Sequence, residues 1–205
     1  MNAKFITLDG IDGAGKTTQL KVIRDWFARQ GLPVRFTREP GGTPVGEALR
    51  QLLLSPDTRI GLRAETLLMF AARAQHLEDV ILPALHDGIS VVSDRFTDAT
   101  FAYQGAGRGL PADDVAALEN WVQGSLRPDL TFLLDVPLAV SMQRIEENRE
   151  KDRFEQEQAA FFTRVREGYL KRAAAAPERY AVIDSNRDKA AVRSEIEAVL
   201  QRLFA

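Results

Sequence analysis

The sequence predicts an α/β fold, a five-stranded parallel sheet flanked by helices on both faces. Three observations carry this prediction. Short apolar runs of strand length alternate with segments of helical periodicity along all 205 residues. The first apolar run leads through a glycine-rich turn directly into a helix. The strand runs are nearly continuous in apolar character, as expected of strands covered on both faces. No internal repeat, low-complexity tract or linker divides the chain, so 1–205 reads as a single domain.

The elements follow in order. Lys4–Asp9 is the first strand, and Gly10–Thr17 is the glycine turn. Thr18–Gln30 is a helix with Leu20, Ile23 and Phe27 on one face, stopped by Gly31. Val34–Thr37 is the second strand, Arg38–Thr43 a loop and Val45–Leu54 an amphipathic helix. Arg63–His86 is a long helical segment in which Pro83 bends the helix or marks its last part. Ile89–Ser93 is the third strand, and Thr97–Gln104 is a helix ahead of the glycine-rich 105–109 stretch. Asp113–Gln123 is a helix for which Asp113 is a plausible cap. Leu130–Val136 is the fourth strand. Leu138–Asn148 and Gln158–Arg172 are helices flanking a charged stretch, and Tyr180–Asp184 and Lys189–Leu203 complete the sheet and its cover.

Composition excludes several classes. The formal net charge is −2, which gives no electrostatic footprint for nucleic acid or an anionic membrane. There are no cysteines, so disulfides, thiolate catalysis and cysteine-ligated zinc are excluded. The apolar run in 1–10 is too short for a signal peptide, and no stretch has the length of a membrane span. A cytoplasmic enzyme is expected. Of the 27 basic residues 21 are Arg, a skew for which base composition is a sufficient explanation. Only arginines placed in motifs therefore count as evidence.

Residues 10–17, GIDGAGKT, fit GxxxxGK[ST] without a mismatch. Gly10, Gly13 and Gly15 let the backbone curl so that N–H groups converge on an anion, while the following helix aims its N-terminal dipole at the same point. The alternative is a chance glycine turn, but the preceding strand and following helix are the context a true phosphate loop requires. Gly10, Ile11, Asp12, Gly13, Ala14, Gly15, Lys16, Thr17 and Thr18 are the expected ATP-binding residues. Lys16 is expected to reach the β- and γ-phosphates and Thr17 to ligate Mg²⁺. The loop implies nucleotide binding without fixing a reaction.

The remaining charges narrow the reaction. No Asn-Lys-x-Asp sequence follows a strand, so guanine recognition of the GTPase kind has no support. Arg38 follows the second strand, and Asp94 and Arg95 end the third, where ligands bind in open parallel sheets. Asp94 suits the Mg²⁺ water shell and Arg95 a second phosphate; alone, such a pair reads as a surface salt bridge. A phosphate acceptor brings its own anionic nucleophile, so the protein needs cations rather than a general base. This favours a kinase over a nucleotide-dependent switch or assembly ATPase.

The stretches FITLDGIDGAGKTTQ, TREPGGTPVGEALR, LLMFAARAQH, SDRFTDATFAYQGAGRGL and DRFEQE, in order from Phe5 to Glu157, resemble the successive motifs of bacterial thymidylate kinases. The resemblance implies a P-loop NTPase fold and transfer of phosphate from Mg-ATP to dTMP, with a kinase for another monophosphate as the alternative. It also implies a homodimer. It gives Asp12 a role near the acceptor 3′-hydroxyl and the phosphoryl donor, with loop capping as the alternative. Glu39 resembles an acid near the acceptor, and Arg50 and Arg95 match positions contacting its phosphate. Phe70 and Arg73 resemble the thymine-stacking aromatic and the base-binding arginine, although family spacing would put Met69 in the aromatic's place. Thr100, Tyr103 and Gln104 match a helix closing over base and sugar, with Tyr103 crowding the 2′ position or serving ordinary packing.

Residues 144–157, RIEENREKDRFEQE, are rich in charge and poor in apolar side chains. They read as a solvated hairpin or as a lid over ATP. Gly13 stands where some members of the family carry a basic residue, so the resemblance assigns the missing charge to this lid. Arg153 fits its Asp-Arg-x-Glu pattern, and Arg149, or alternatively Lys151, supplies the second charge. The expected catalytic set is thus Lys16, Arg95, Arg153, Arg149 and Asp12.

Overall fold

The computed structural model describes residues 3–55, 57–146 and 154–205, with side chains from 145 to 158 outside the description. Five strands form the sheet: β1 (Phe5–Asp9), β2 (Val34–Arg38), β3 (Ser90–Asp94), β4 (Leu130–Asp135) and β5 (Tyr180–Asp184). All neighbouring pairs are parallel, in the order β2-β3-β1-β4-β5. β1 lies in the centre, where the strand order reverses; the crevice beyond its carboxyl end is where doubly wound sheets bind ligands.

The continuous apolar runs have their predicted cause. β1 is buried along its whole length, as are all but the last residues of β3 and β4. Successive side chains point to opposite faces. Ile6 and Leu8 join the main core with Ile23 and Phe27 of helix α1 (Lys16–Gln30), Val165 and Tyr169 of α8 (Phe154–Ala175), and Ile196 of α9 (Lys189–Leu203). Phe5 and Val91 pack with Leu77 and Ile81 in a second cluster.

The helices between these are α2 (Pro44–Leu54), α3 (Leu62–His76), α4 (Leu82–His86), α5 (Thr97–Thr100), α6 (Ala112–Gln123) and α7 (Leu138–Glu146). The expected long segment from Arg63 to His86 is helical throughout, but passes through a π turn at Leu77–Ile81 before α4. Pro83 lacks an amide donor, so the α ladder cannot run unbroken past it, and the wider turn lies immediately upstream.

Two local expectations change. Asp113 does not cap α6: the cap position is Pro111 with no side-chain bond, and Asp113 sits in the first turn, where its charge complements the helix dipole. The helix from Thr97 does not stop before the glycines; it continues in π form through Phe101–Gly107. Gly107 serves close packing. A Cβ on Gly107 would fall 2.6 Å from Phe161 Cε2, so the π segment and α8 approach closely only without one.

Candidate active site

The phosphate loop leaves β1 at Gly10, whose φ of 142° and approach to the Leu134 carbonyl, 2.7 Å from where a Cβ would stand, admit only glycine. Gly15 occupies the cap position of α1, and no side chain caps that helix. Its first amides are therefore unclaimed by a side chain and face an incoming anion. Lys16 Nζ lies across the loop, 3.3 Å from the Gly10 carbonyl, 3.5 Å from that of Ile11 and 3.9 Å from Asp12 Oδ1. Burial and then the neighbouring Arg95 charge lower its pKa, while Asp94, Asp12 and Asp9 work the other way. Ser141 of α7 holds the loop from outside, its Oγ donating 2.5 Å to the Asp12 carbonyl. Arg144 donates to the carbonyls of Gly13, at 3.3 Å, and Ser185, at 3.0 Å.

Thr17 and Asp94 line a cleft of about 550 Å3 on one side of this loop. Asp94 Oδ1 is buried without a hydrogen-bond partner among the described residues. A hydroxyl and an unsatisfied carboxylate oxygen beside a phosphate loop are a fitting donor set for a hard cation such as Mg²⁺.

On the other side is a more enclosed cavity of about 240 Å3. It runs from Asp12 and Arg95 at the phosphate loop, past Glu39 and Arg50, to Arg73, Thr100, Tyr103 and Gln104. Eight of the expected acceptor-site residues thus meet in one space. Phe70 is not among them. Its ring is buried with Phe101, Leu110 and Val115, under the Arg73 guanidinium at 4.6 Å, and the adjacent wall of the cavity is Met69. Neighbouring positions on a helix point about 100° apart, so only one of the two faces the ligand space.

Arg95 joins the phosphate loop to this cavity. Its backbone has a φ of 69°, and its amide donates to the Leu8 carbonyl at 3.0 Å, which turns the side chain back over β1. Nη2 then meets Asp12 Oδ1 at 2.6 Å and Tyr103 Oη at 2.8 Å. Burial opposes its charge, but Tyr103, Tyr169 and Asp12 outweigh that, and its pKa rises.

The far end rests on a buried ion pair. Arg73 Nε donates 2.8 Å to Glu39 Oε2, and His76 Nδ1 lies 2.9 Å from Glu39 Oε1. Arg73 Nη2 donates 3.2 Å to Thr100 Oγ1, while Nη1 is buried with no partner among the described residues. An unsatisfied buried guanidinium nitrogen beside a cavity calls for an acceptor on the ligand. Arg50 Nη1 is held at 2.9 Å by the Pro40 carbonyl.

Arg149, Lys151 and Arg153 lie outside the described residues, as does the middle of the 144–157 stretch. Sequence reasoning missed Ser141 and Arg144 as supports of the loop. Their signal was spacing, three apart on the helix that follows a strand end. It also missed Glu65, which bonds Gln104.

Known proteins resemble the chain over nearly its whole length. A family model described as thymidylate kinase matches residues 8–196. The chain is 74% identical over 204 residues to a thymidylate kinase of Neisseria meningitidis serogroup A, with 100% of this chain and 99% of that one covered. It is 56% identical over 201 residues to a thymidylate kinase of Chromobacterium violaceum, covering 98% and 95%. The crystal structure of thymidylate kinase from Ehrlichia chaffeensis superimposes with a TM-score of 0.81 at 33% identity, covering 98% of this chain and 100% of that chain. The chain belongs to the thymidylate kinase family.

Proposed function

We propose that this chain transfers the γ-phosphoryl group of ATP to dTMP, giving ADP and dTDP. The observation that carries the reading is the single cavity joining the phosphate loop, through Asp12 and Arg95, to the polar group around Arg73. An acceptor phosphate at the Arg95 end sits beside the loop that holds the donor, while its base reaches Arg73.

In this reading an oxygen of the dTMP phosphate attacks the γ-phosphorus in line, and the bond to the β–γ bridging oxygen breaks as ADP leaves. The acceptor oxygen is already anionic, so no residue needs to remove a proton. Lys16 and Arg95 neutralise charge spreading over the transferring group. Arg50 and Arg95 hold the acceptor phosphate, and Asp12 and Glu39 border the sugar. Arg73 Nη1 donates to a thymine carbonyl, Thr100 and Gln104 line the base, and the Tyr103 ring favours deoxyribose. Mg²⁺, held by Thr17 and through water by Asp94, would draw charge from the β- and γ-phosphates. Arg153 with Arg149, or Lys151, completes the cationic shell from the lid.

The proposal includes a cytoplasmic homodimer. The supporting feature is an apolar face on α3 and α6, where Leu67 is 54% and Trp121 83% exposed in the isolated chain. Among the described residues no helix is long and apolar enough to cross a membrane.

Lys16→Ala tests the transfer step. The variant should keep its fold and its dTMP affinity yet lose transfer; a folded, active variant contradicts the assignment.

A further inference from the structure

We infer that Glu65 fixes the orientation of the Gln104 carboxamide and thereby sets which base edge the cavity accepts. Gln104 lies on the π segment, is 6% exposed and lines the cavity. Its Nε2 donates 2.9 Å to Glu65 Oε1, from the first turn of α3. The other carboxylate oxygen of Glu65 accepts from Arg108 Nη1, which holds the acid in place from outside the cavity.

The polarity follows from the inventory of donors and acceptors. A carboxylate only accepts, whereas a carboxamide has one end of each kind. Turning the Gln104 amide over would set its oxygen against that of Glu65, two acceptors face to face, and lose the bond. Nε2 is therefore committed to Glu65, and Oε1 is left as the free end; no described residue donates to it. Arg73 and Gln104 both line the cavity, Arg73 with a guanidinium that only donates and Gln104 with the acceptor Oε1. That pair complements a carbonyl beside an N–H, the imide edge of thymine. Cytosine presents an amino group and an unprotonated ring nitrogen at the same places, and is mismatched at both. Glu65 is in this account a positioning residue that acts through Gln104. The inference rests on the reading of this cavity as the dTMP site.

The test uses Glu65→Gln, Gln104→Leu and the exchange Glu65→Gln with Gln104→Glu in the full-length enzyme. For each, the dTMP KM and kcat and the Ki of dCMP as a competitor are measured. In Glu65→Gln the new carboxamide at position 65 can donate as well as accept, so the amide of Gln104 is no longer held one way round. The KM for dTMP should then rise about tenfold, the weight of one oriented hydrogen bond, with kcat little changed and the dCMP Ki level or lower. In the exchange variant the carboxamide at position 65 donates to the carboxylate at position 104. That carboxylate keeps its other oxygen toward the base, so the preference for dTMP over dCMP returns. If Gln104→Leu raises the dTMP KM while Glu65→Gln leaves the ratio of dTMP KM to dCMP Ki unchanged, the positioning role is overturned and the cavity assignment stands. If the exchange fails to recover the preference lost in Glu65→Gln, the polarity argument is overturned. If Gln104→Leu leaves the dTMP KM unchanged, the cavity assignment itself fails, and the inference with it.

Discussion

Arg95 Nη2 and Asp12 Oδ1 lie 2.6 Å apart, a bond between residues 83 positions apart in sequence that closes the acceptor cavity against the phosphate loop. The same nitrogen meets Tyr103 Oη, so one guanidinium registers three elements.

Its removal should cost turnover more than structure. Arg95→Ala and Arg95→Gly are expected to lower kcat by about 10²-fold or more, as for loss of a donor aimed at developing charge. They should differ in stability. A φ of 69° strains any residue with a Cβ, so the Gly variant should be the more stable of the two by about 1 kcal/mol in urea denaturation. Equal stability would show that the turn is not strained.

The Glu39 carboxylate is 4% exposed and serves both Arg73 and His76. Glu39→Ala leaves the Arg73 guanidinium buried without its counter-charge. Such a loss destabilises by about 3–5 kcal/mol, and the dTMP KM should rise with it because Arg73 is no longer aimed. Equilibrium unfolding and steady-state kinetics on the same preparation read both effects.

Met69 and Phe70 should separate binding from stability. Met69→Ala removes cavity wall and is expected to raise the dTMP KM with a small change in unfolding free energy. Phe70→Ala empties a core position and should cost about 3–5 kcal/mol. The reverse pattern would return the base-facing role to Phe70.

Asp9 is fully buried, and burial followed by the Asp98 charge pushes its pKa up to about 7, against Arg95, a hydrogen bond from Tyr169 and Lys16. The folded chain therefore keeps the Asp9 proton over a range, roughly from the ordinary value of 3.8 to about 7, in which the unfolded chain has released it. Where the native state binds more protons, stability falls as pH rises. Asp9→Asn carries no charge at any pH. Its stability relative to the parent should climb between about pH 4 and 7 and level off above, read as the difference in Tm of the nucleotide-free proteins. A difference constant with pH would place the Asp9 proton elsewhere.

The order of strands and helices was legible because each strand is a continuous apolar run and each helix carries its own periodicity. The phosphate loop was legible because its glycines and Lys16 are contiguous. What the sequence concealed is contact between distant positions. Nothing local marks Glu65 as the partner of Gln104, 39 residues on, or Glu39 as the counter-charge of Arg73, 34 residues on. The choice between Met69 and Phe70 depends on how α3 is rotated against α6 and the π segment, which packing decides and spacing leaves open. Asp113 has the residue type of a cap but not the position, because the helix begins one residue earlier, behind Pro111.

Acceptor choice is the most direct readout of dTMP transfer at this site. Release of ADP in a coupled assay, with Mg-ATP and each nucleoside monophosphate in turn, measures it. Strong turnover is expected with dTMP, weaker turnover with dUMP and negligible turnover with AMP, CMP or GMP. Turnover with another monophosphate but not with dTMP would contradict the base assignments at Arg73, Thr100, Tyr103 and Gln104. Slow ATP hydrolysis unmoved by any acceptor would contradict the kinase reading altogether.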